Sequence, residues 1–460
     1  MTPVGGTEGV GRPKRRVRPG GRKRPSGRRG PARGRHPAGT KGPRLGRDFH
    51  GLWAANSVST LGDGVMETAG PLLVASVSDD PVLVGLAAFV GQLPWLLFSL
   101  VSGALVDRLD KRRLIVVVDV LRGAVTAALA LAVWGGHATI PVIYGCAFLL
   151  GTGETLAQNA ASSLVPAVVP SALLPQANAR LHGSFFVLNK FAGRPLGASL
   201  FVLAAGLPFG LDAASFLASA TVIAAMRGLR PGATGPDQAP GPDSGQGGRS
   251  VRREIAEGLR WVWHEPVIRM LSLTLCLMNV TLIAGFSIMV LYARDRLGLG
   301  AIGYGVLTAS SAVGGILGVV VAPGLQSRLA ASLLLRAGLV VETLTHLGLA
   351  LAGTPWVAGA VLAAFGVHSS VLGSVETTFR QRRVPEELRG RVQSVFLMFA
   401  VGGNVVGALI GGPLVRWQGV TAPFWCSAAA MAVVTAVAWR PFGRNLDRTP
   451  SRSVPVTVQP

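Results

Sequence analysis

Long apolar runs separated by short polar stretches make up the chain from His50 onward. A helix that crosses a bilayer needs about 20 predominantly apolar residues. A window of that length predicts twelve membrane-spanning helices, and hence an all-α membrane protein. The predicted spans, numbered 1 to 12 along the chain, are 52–77, 82–106, 113–134, 139–164, 178–201, 205–227, 268–293, 302–326, 332–353, 356–378, 391–412 and 421–440.

One long polar segment divides the spans into two groups of six. This segment, RPGATGPDQAPGPDSGQGGRSVRRE, is rich in Gly, Pro and Ser, a composition typical of a flexible linker. The next stretch, EIAEGLRWVWHEP, places apolar residues near helical spacing and predicts an amphipathic helix on the membrane surface. We expect a disordered tail, a first bundle, a linker with the amphipathic segment, a second bundle and a second tail. Their bounds are 1–48, 49–228, 229–266, 267–440 and 441–460.

Basic residues are unevenly distributed between the predicted loops. The 2–3 loop and the 10–11 loop, RQRRVPEELRGR, are rich in Lys or Arg, whereas SDDP, GGH, GLPFG and GTP on the other side contain none. The 7–8 connection, ARDRLGLG, is an exception with two arginines. Because cytoplasmic loops carry an excess of Lys and Arg, we expect a multi-pass protein of the cell membrane with both termini in the cytoplasm.

Two pairs of loop segments indicate a duplication. VPSALLPQANARLHGSFF before span 5 can be aligned with VPEELRGRVQSVFLMF before span 11, and LVDRL after span 2 with LQSRL after span 8. Both offsets are about 215 to 220 residues, near half the chain. Duplicated halves related by an axis along the membrane normal are typical of one transporter architecture. The sequence therefore predicts two pseudo-symmetric six-helix bundles.

Charge changes this picture only at the N-terminus. Charged residues make up 14% of the chain, against roughly 25% in soluble domains, and 15 of the 44 Lys and Arg lie in residues 1–48. This tail is interpreted first as a disordered arm on anionic lipid. Nucleic-acid binding is not expected, since the tail offers neither aromatic residues nor a fold. A third reading is that translation starts near Leu45, and we assign the tail no function.

Six acidic residues fall within the predicted spans. Each costs about 3 kcal/mol at a helix centre, so we expect them to be paired, protonated, near an interface or facing a wet cavity. Asp119 and Arg122 are three residues apart and Glu342 and His346 four apart, and such spacing predicts local structural pairs. Asp212, at the predicted start of span 6, is expected to cap that helix. The six acids are Asp63, Glu67, Asp119, Glu154, Glu342 and Glu376.

Five charged residues are candidates for proton coupling or substrate binding. Asp63 and Glu67 lie one turn apart on span 1, and like charges in a low dielectric favour a proton on one of them; helix packing is the alternative role for Asp63. Glu154 has no base within four residues and is the strongest single candidate for a proton or a cationic substrate. Lys190 and Arg194, one turn apart on span 5, are expected to pair with Glu154 or the span 1 acids, with attraction of an anionic substrate as the alternative.

The charged stretch GALVDRLDKRR, residues 103–113, resembles the loop 2–3 signature of the major facilitator superfamily, which has a Gly, an Asp-Arg pair, a turn residue and two bases. The segments LWAANSVSTLGDGV, LPFGLDAASF, EGLRWVWHEPVIR and VPEELRGRVQSVF resemble one bacterial efflux branch of that superfamily. This branch, the transmembrane secretion effectors, contains the enterobactin exporter and macrolide efflux pumps. The likeness covers roughly residues 48–440.

The resemblance implies that the signature is a conformational latch on the cytoplasmic side; a simple topology anchor is the alternative. A glycine at 103 lets spans 2 and 11 approach closely, and an acid at 107 faces the positive N-terminus of span 11. Asp110 stands where the family usually has Gly, and Asp tolerates a left-handed turn. The expected latch residues are Gly103, Asp107, Arg108, Lys111, Arg112, Arg389 and Arg391.

These features predict a secondary transporter that exports a small amphipathic molecule, such as a drug, antibiotic or siderophore, by proton antiport and alternating access. We expect no enzymatic activity and no cofactor, because the proton motive force supplies about 2.3 kcal/mol per charge per 100 mV. The expected partners are the substrate and the lipid bilayer, with the protein acting as a monomer. A solute importer of the same fold and a non-transporting membrane sensor or partner-binding protein remain the alternatives.

Overall fold

The computed structural model describes residues 45–226, 251–385 and 388–445, with side chains outside 99–105, 107–108, 251–254 and 444–445. Thirteen helices are defined within these ranges. They are α1 (Arg47–Val77), α2 (Pro81–Arg108), α3 (Lys111–Trp134), α4 (Ile140–Val168), α5 (174–203), α6 (Leu207–Ala225), α7 (Val251–His264), α8 (Pro266–Phe286), α9 (Ala301–Arg328), α10 (Ala331–Leu351), α11 (Pro355–Arg383), α12 (Arg389–Gln418) and α13 (Ala422–Asn445).

The helices correspond in order to the predicted elements. The predicted surface helix is α7, so that spans 1–6 are α1–α6 and spans 7–12 are α8–α13. Ten of the described helices are long and apolar enough to cross a membrane by length and composition. The remaining two crossings are α1, which carries Asp63 and Glu67, and α5, which carries Lys190 and Arg194. The chain is therefore an all-α, multi-pass membrane protein.

Aspartates at two helix starts explain where α2 and α3 begin. The side chain of Asp80 accepts a hydrogen bond from the backbone N–H of Val82, and Pro81 occupies the first helical position. Asp110 accepts from the backbone N–H groups of Arg112 and Arg113 at 3.0 and 3.1 Å. The expected left-handed turn at Asp110 is wrong, since its φ is −65°. Its side chain instead caps α3.

Helix α5 changes its hydrogen-bonding pattern in the middle. It consists of Leu174–Ser184, a π-helical segment Phe185–Gly193, and Arg194–Leu203. The last part lies directly on α1: a Cβ at Gly193 or Gly197 would overlap the α1 backbone at Gly64 or Val65. Glycine is required there because two helix backbones touch. The sequence predicted the span but not its π-helical centre.

The two halves, α1–α6 and α8–α13, share a core at one end only. They meet mainly through α2 against α12 and α5 against α9. At the end where α1 begins and α13 ends, here called the termini end, each half has its own hydrophobic clusters, represented by Phe49 and Leu164 in the first half and Leu335 and Phe442 in the second. At the opposite end, here called the far end, one cluster contains residues of both halves. The molecule is therefore joined at the far end and split at the termini end.

The end of span 7 differs from the prediction of one helix over 268–293. Helix α8 ends at Phe286, Ile288 interrupts it with φ −113° and ψ 12°, and the short helical turns Met289–Leu291 and Tyr292–Arg296 follow. The second of these turns holds the far end together. Tyr292 donates to the Leu349 carbonyl of α10 at 2.7 Å, and Arg294 forms a 3.0 Å ion pair with Asp79 of the other half.

Candidate functional site

The first feature of the site is a three-charge cluster between α1 and α5. The Glu67 carboxylate accepts hydrogen bonds from Lys190 Nζ at 2.8 and 3.0 Å and from Arg194 at 2.9 Å. Of the pairings expected for Lys190 and Arg194, the structure contains the one with an α1 acid. Because two cations face one carboxylate, the cluster has a net positive charge near the middle of two spanning helices.

Arg194 also connects the two halves of the molecule. Its second guanidinium nitrogen donates to the carbonyl oxygen of Thr308 in α9 at 3.0 Å. Helix α9 comes close at this point because a Cβ at Gly305 would overlap the Ala198 side chain of α5 at 2.7 Å. Arg194 is thus a bridge between α1, α5 and α9. The net charge of the Glu67 cluster is therefore placed at the interface that holds the halves together.

A second ion pair joins α1 to α3. Arg122 donates to Asp63 at 2.9 Å, its guanidinium carbon lies 4.0 Å from the Phe216 ring centroid, and only 7% of the residue is exposed. The predicted local pair of Asp119 with Arg122 is wrong. Asp119 instead accepts a hydrogen bond from Ser219 of α6 at 2.8 Å. The sequence prediction for the two α1 acids, Asp63 and Glu67, considered only the repulsion between their like charges. In the structure each of these acids also faces a cation from another helix.

Glu154 occupies the middle of α4 and differs from the other acids. Its side chain is exposed, and the charges that act on it belong to Asp63, Arg122, Glu67 and Lys190. Within the part of the chain that the structure describes, it forms no direct hydrogen bond or ion pair. An accessible carboxylate at this depth, surrounded by charged groups from three other helices, indicates a hydrated chamber rather than a lipid-facing surface. Glu154 therefore faces the same chamber as the candidate residues of spans 1 and 5.

Asp212 is a further acid near this chamber, and its predicted role as a helix cap is wrong. Helix α6 begins at Leu207, which places Asp212 in its second turn, where it is 1% exposed. The Ser215 hydroxyl lies 3.4 Å from its carboxylate. A Cβ at Gly62 would overlap both side chains, so the glycine of the LGD motif allows α1 to approach α6. The predicted span 205–227 begins close to Leu207, so the error lies in the role given to Asp212 and not in the position of the helix.

The π-helical segment of α5 sets the position of the polar side chains on that helix. Asn189 is 2% exposed and lies 3.4 Å from the carbonyl oxygen of Thr60, and Lys190 lies 5.1 Å from the Phe185 ring centroid. Lys190 is one of the predicted site residues, whereas Asn189 was not predicted and Arg122 was expected only as the partner of Asp119. A polar pair such as Asn-Lys inside an apolar run is the signal that marks this segment. π-Helical turns are frequent at functional sites.

The predicted latch is only partly described. The side chains of Gly103, Asp107 and Arg108 lie outside the described residues. Arg112 donates to the Ile223 carbonyl at 3.0 Å and contacts the Ala224 carbonyl, both at the C-terminal end of α6.

The other expected latch residues lie at the starts of helices. Lys111 begins α3 and Arg389 begins α12. Arg391 forms a 3.1 Å ion pair with Glu257 of the surface helix α7. The bridge from Arg112 to a neighbouring helix end is therefore present, whereas Arg391 contacts α7.

The second half has its own buried charges. Glu342 contacts His346 at 3.5 Å, as the four-residue spacing predicted. It also contacts His368 of α11 at 3.1 Å, and this contact was not predicted. Glu376 and Arg380 follow on α11, and the Arg380 guanidinium lies 3.9 Å from the Phe396 ring centroid. No group of three or more metal-ligating side chains suited to a metal ion occurs among the described residues. Glu342 and its two histidine neighbours thus belong to the second half, whereas the charged residues around Glu154 belong to the first.

Comparison with known proteins places this architecture. Residues 39–455 match the family model described as transmembrane secretion effector. The chain is 27% identical over 413 residues to the multidrug efflux pump Tap of Mycobacterium tuberculosis, with 87% of this chain and 95% of Tap covered.

Two solved structures share the fold. The nucleoside transporter NupG has a TM-score of 0.69 at 13% identity and covers 87% of this chain and 100% of its own. A bacterial homologue of the iron transporter ferroportin in an inward-facing state has a TM-score of 0.68 at 15% identity, with 87% and 100% covered. With twelve crossings in two pseudo-symmetric halves and a family match over nearly its whole length, the chain belongs to the transmembrane secretion effector family of major facilitator superfamily transporters.

Proposed function

We propose that this transporter exports small amphipathic molecules, cationic ones included, in exchange for protons. The observation that carries the proposal is Glu154, an accessible carboxylate at mid-depth without a direct partner among the described residues. A carboxylate in this position binds either a proton or a substrate cation, and competition between the two produces antiport. The similarity to a multidrug efflux pump supports export of a chemically varied set of compounds.

The neighbouring charges give the exchange its electrostatic basis. When Glu154 is ionised, its negative charge attracts Arg122 and Lys190 as well as an incoming cation. When Glu154 takes up a proton, that attraction is removed, and the two cations interact more strongly with Asp63 and Glu67. Proton binding therefore weakens the hold on a cationic substrate and changes the forces between α1, α3, α4 and α5 at the same time.

Alternating access supplies the conformational part of the proposal. The halves share a core at the far end and have separate cores at the termini end, which fits a chamber open towards the termini. We place both termini in the cytoplasm of a cell-membrane protein because the basic loops lie at that end. The moving units are 49–228 and 267–440, connected by the linker 229–266, in a monomer. Export then requires the Arg294–Asp79 contact to open.

The latch remains part of this proposal. Gly103, Asp107 and Arg108 would contact α12 when the termini end closes. Arg112 anchors the start of α3 to the last carbonyls of α6, which holds this corner of the first half rigid. A rigid corner lets the first half move as a unit, which a rocking motion requires.

Transport in vesicles tests the proposal. The transporter would be reconstituted in proteoliposomes with its termini end facing outward and with an acidic lumen. A fluorescent lipophilic cation would report substrate movement, and a pH dye in the lumen would report proton movement. We expect dye uptake coupled to proton efflux in the wild type, and at least a 100-fold lower initial rate in Glu154→Gln. Glu154→Asp is the matched control, since it keeps a titratable group, and we expect it to retain a rate within 10-fold of the wild type.

Other outcomes would assign other functions. Dye movement in the opposite direction under the same gradient would indicate an importer. No movement of dye or protons by correctly folded protein would indicate a sensor or partner-binding protein. Transport by Glu154→Gln at the wild-type rate would remove Glu154 from the mechanism.

A further inference from the structure

A second set of titratable groups lies in the core of the other half and has no part in the mechanism above. Glu342 and His346 of α10 and His368 of α11 meet at mid-depth, and they are 1%, 1% and 8% exposed. His368 Nε2 lies 3.1 Å from one carboxylate oxygen of Glu342. His346 Nε2 lies 3.5 Å from the other, beyond the usual hydrogen-bond distance of about 2.7–3.2 Å. We call these three residues the histidine cluster.

The hydrogen-bonding capacity of the histidine cluster is incompletely used. Both ring nitrogens of His346 and the Oε1 atom of Glu342 are buried without a hydrogen-bond partner among the described residues. Buried polar groups are nearly always paired, so such a cluster requires an explanation. A proton on His346 would add a donor and draw the ring towards Glu342 Oε1. The geometry of the cluster therefore leaves room for one more bound proton.

The surrounding helices provide no compensating charge. Among the described residues, the charged partners with the largest effect on Glu342 are His346 and His368, both members of the cluster. Helix α13 faces α10 with Thr435, which lies 3.2 Å from Thr343, and α9 faces α11 through Gly315 and Gly318.

The nearest other ionisable groups are turned to different neighbours. Arg336 of α10 lies against Trp439. Arg380 of α11 stacks on Phe396 of α12, with Glu376 one turn before it. The histidine cluster must therefore balance its own charge.

We propose that the histidine cluster is a proton-binding site of the second half. With both imidazoles neutral and Glu342 ionised, the cluster would carry an uncompensated buried negative charge, which is strongly unfavourable. One proton taken from water converts a neutral imidazole to an imidazolium and makes the cluster neutral overall. An imidazole holds this proton in preference to the carboxyl because its reference affinity is higher. Loss of the proton returns it to water and restores the unfavourable charge.

Contacts on both sides connect this site to the closed far end. The ring of His368 lies 6.3 Å from that of Phe365, and Phe365 lies 5.9 Å from Phe286, the last residue of α8 before its interruption. On the other side, the Leu349 carbonyl, one turn after His346, accepts the hydrogen bond from Tyr292. The histidine cluster is thus linked to the segment before the interruption in α8 through Phe365, and to the segment after it through Leu349 of α10. A proton on the cluster stabilises the closed arrangement of the far end, where Arg294 meets Asp79.

Nitrogen-15 NMR of histidine-labelled full-length protein tests proton binding directly. The chain has seven histidines, and His346 and His368 would be assigned from the spectra of His346→Gln and His368→Gln. We expect one of the two to be an imidazolium at pH 7.5 in the wild type, and this signal to be lost in Glu342→Gln. Neutral imidazoles at both positions from pH 5 to 8 in the wild type would overturn the proposal without reference to any variant.

A distance measurement tests the connection to the far end. His137 and Trp356 are exposed residues of the two halves at the far end. Spin labels at these two positions, in a variant without the native cysteines, report the opening of the far end. We expect the distance distribution to change between pH 6 and 9, and Glu342→Gln and His368→Gln to abolish that change. An unaltered pH response in both variants would disprove the connection. Because neither readout involves substrate or transport, failure of this proposal is separable from failure of the export mechanism.

Discussion

The two halves place opposite charges at equivalent points. Arg122 is the twelfth residue of α3, and Glu342 is the twelfth residue of α10, the corresponding helix of the second half. The neighbouring positions also correspond, since Gly153 and His368 are each the fourteenth residue of α4 and α11. Gly153 faces the Arg122 side chain, whereas His368 bonds to Glu342. Duplication has thus kept the location of a buried charge while reversing its sign.

The residue beside the buried charge decides which purpose that charge serves in each half. Because Gly153 has no side chain, it offers Arg122 no direct partner at this point of α4, and Arg122 pairs with Asp63 of α1. Glu154, the residue after this glycine, stays accessible. A histidine beside Glu342 supplies the partner locally, and water is excluded. The first half therefore has an open charged chamber, and the second half has a closed cluster that balances charge with a proton.

Removal of Arg122 should produce the largest loss of stability. Breaking a buried ion pair costs about 3–5 kcal/mol, and we expect about 3 kcal/mol for Arg122→Met because Asp63 is 30% exposed. Thermal unfolding in detergent, with folded yield, measures the effect. The double variant Arg122→Met, Asp63→Asn removes both charges and should recover most of the loss. A double variant as unstable as the single one would show that Asp63 is not the main partner.

The equivalent change in the second half should cost less. Glu342→Gln removes the charge but keeps the shape, and both imidazoles become neutral, so we expect a loss of about 1–2 kcal/mol from weaker hydrogen bonding. The same unfolding assay applies. The comparison predicts that this loss depends on pH through the two histidines, whereas the loss in Arg122→Met depends on pH only through Asp63 and becomes independent of pH when Asp63→Asn is added, because an arginine stays charged throughout. Equal pH dependence in the two variants would contradict the distinction between the halves.

The glycine that distinguishes the halves can itself be tested. A Cβ at Gly153 would lie 2.7 Å from Arg122 Cγ, so Gly153→Ala requires the arginine to shift. A flexible side chain gives way readily, and we expect a loss of about 1 kcal/mol, at the low end for overpacking. Gly145, on the same helix with open space around it, provides the control, and Gly145→Ala should be neutral or slightly stabilising. A loss in Gly145→Ala equal to that in Gly153→Ala would rule out contact with Arg122 as the cause.

The smallest effect on stability is expected at the far-end ion pair. Arg294 and Asp79 are 44% and 88% exposed, so Arg294→Gln should cost less than about 1 kcal/mol. The hydrogen bond that Arg294 donates to the Asp295 carboxylate raises the pKa of Arg294 further, so Arg294 stays charged at physiological pH. Its effect should instead weaken with salt. Spin-label distances at low and high ionic strength would measure it, and a salt-independent response would assign the closure to the shared apolar core alone.

Sequence periodicity predicted the helices better than their mutual contacts. Apolar runs of spanning length located every crossing, and the alignment of two pairs of loop segments predicted the duplicated halves. The partner of Arg122 was missed because Asp63 lies 59 residues away, and the local Asp119 offered a simpler pairing. His368 was missed for the same reason, at 26 residues from Glu342. Spacing within one helix reports neighbours on that helix, whereas these pairs depend on how helices pack.

Some local features also escaped prediction for physical reasons. Asp110 was expected to adopt a turn conformation, but an aspartate before a helix gains two hydrogen bonds by capping it. Asp212 was expected to cap a helix, but the helix begins five residues before it, and its buried carboxylate lies beside Ser215 instead. The π-helical turn of α5 has no periodic signature in FFVLNKFAG, since every position is apolar except the Asn-Lys pair.

The π-helical segment of α5 gives the charged side chains on that helix a way to move. Its hydrogen bonds run from residue i to i+5, one residue further than in an α-helix, so the wide turn can migrate along α5 by exchanging one bond at a time. Each step of one residue swings the side chains passed over by about 100° around the axis. Lys190 lies within the wide turn and Arg194 directly after it. Migration of the π-helical turn along α5 would rotate the Lys190 ammonium group away from Glu67, while the two ends of the helix stay in place.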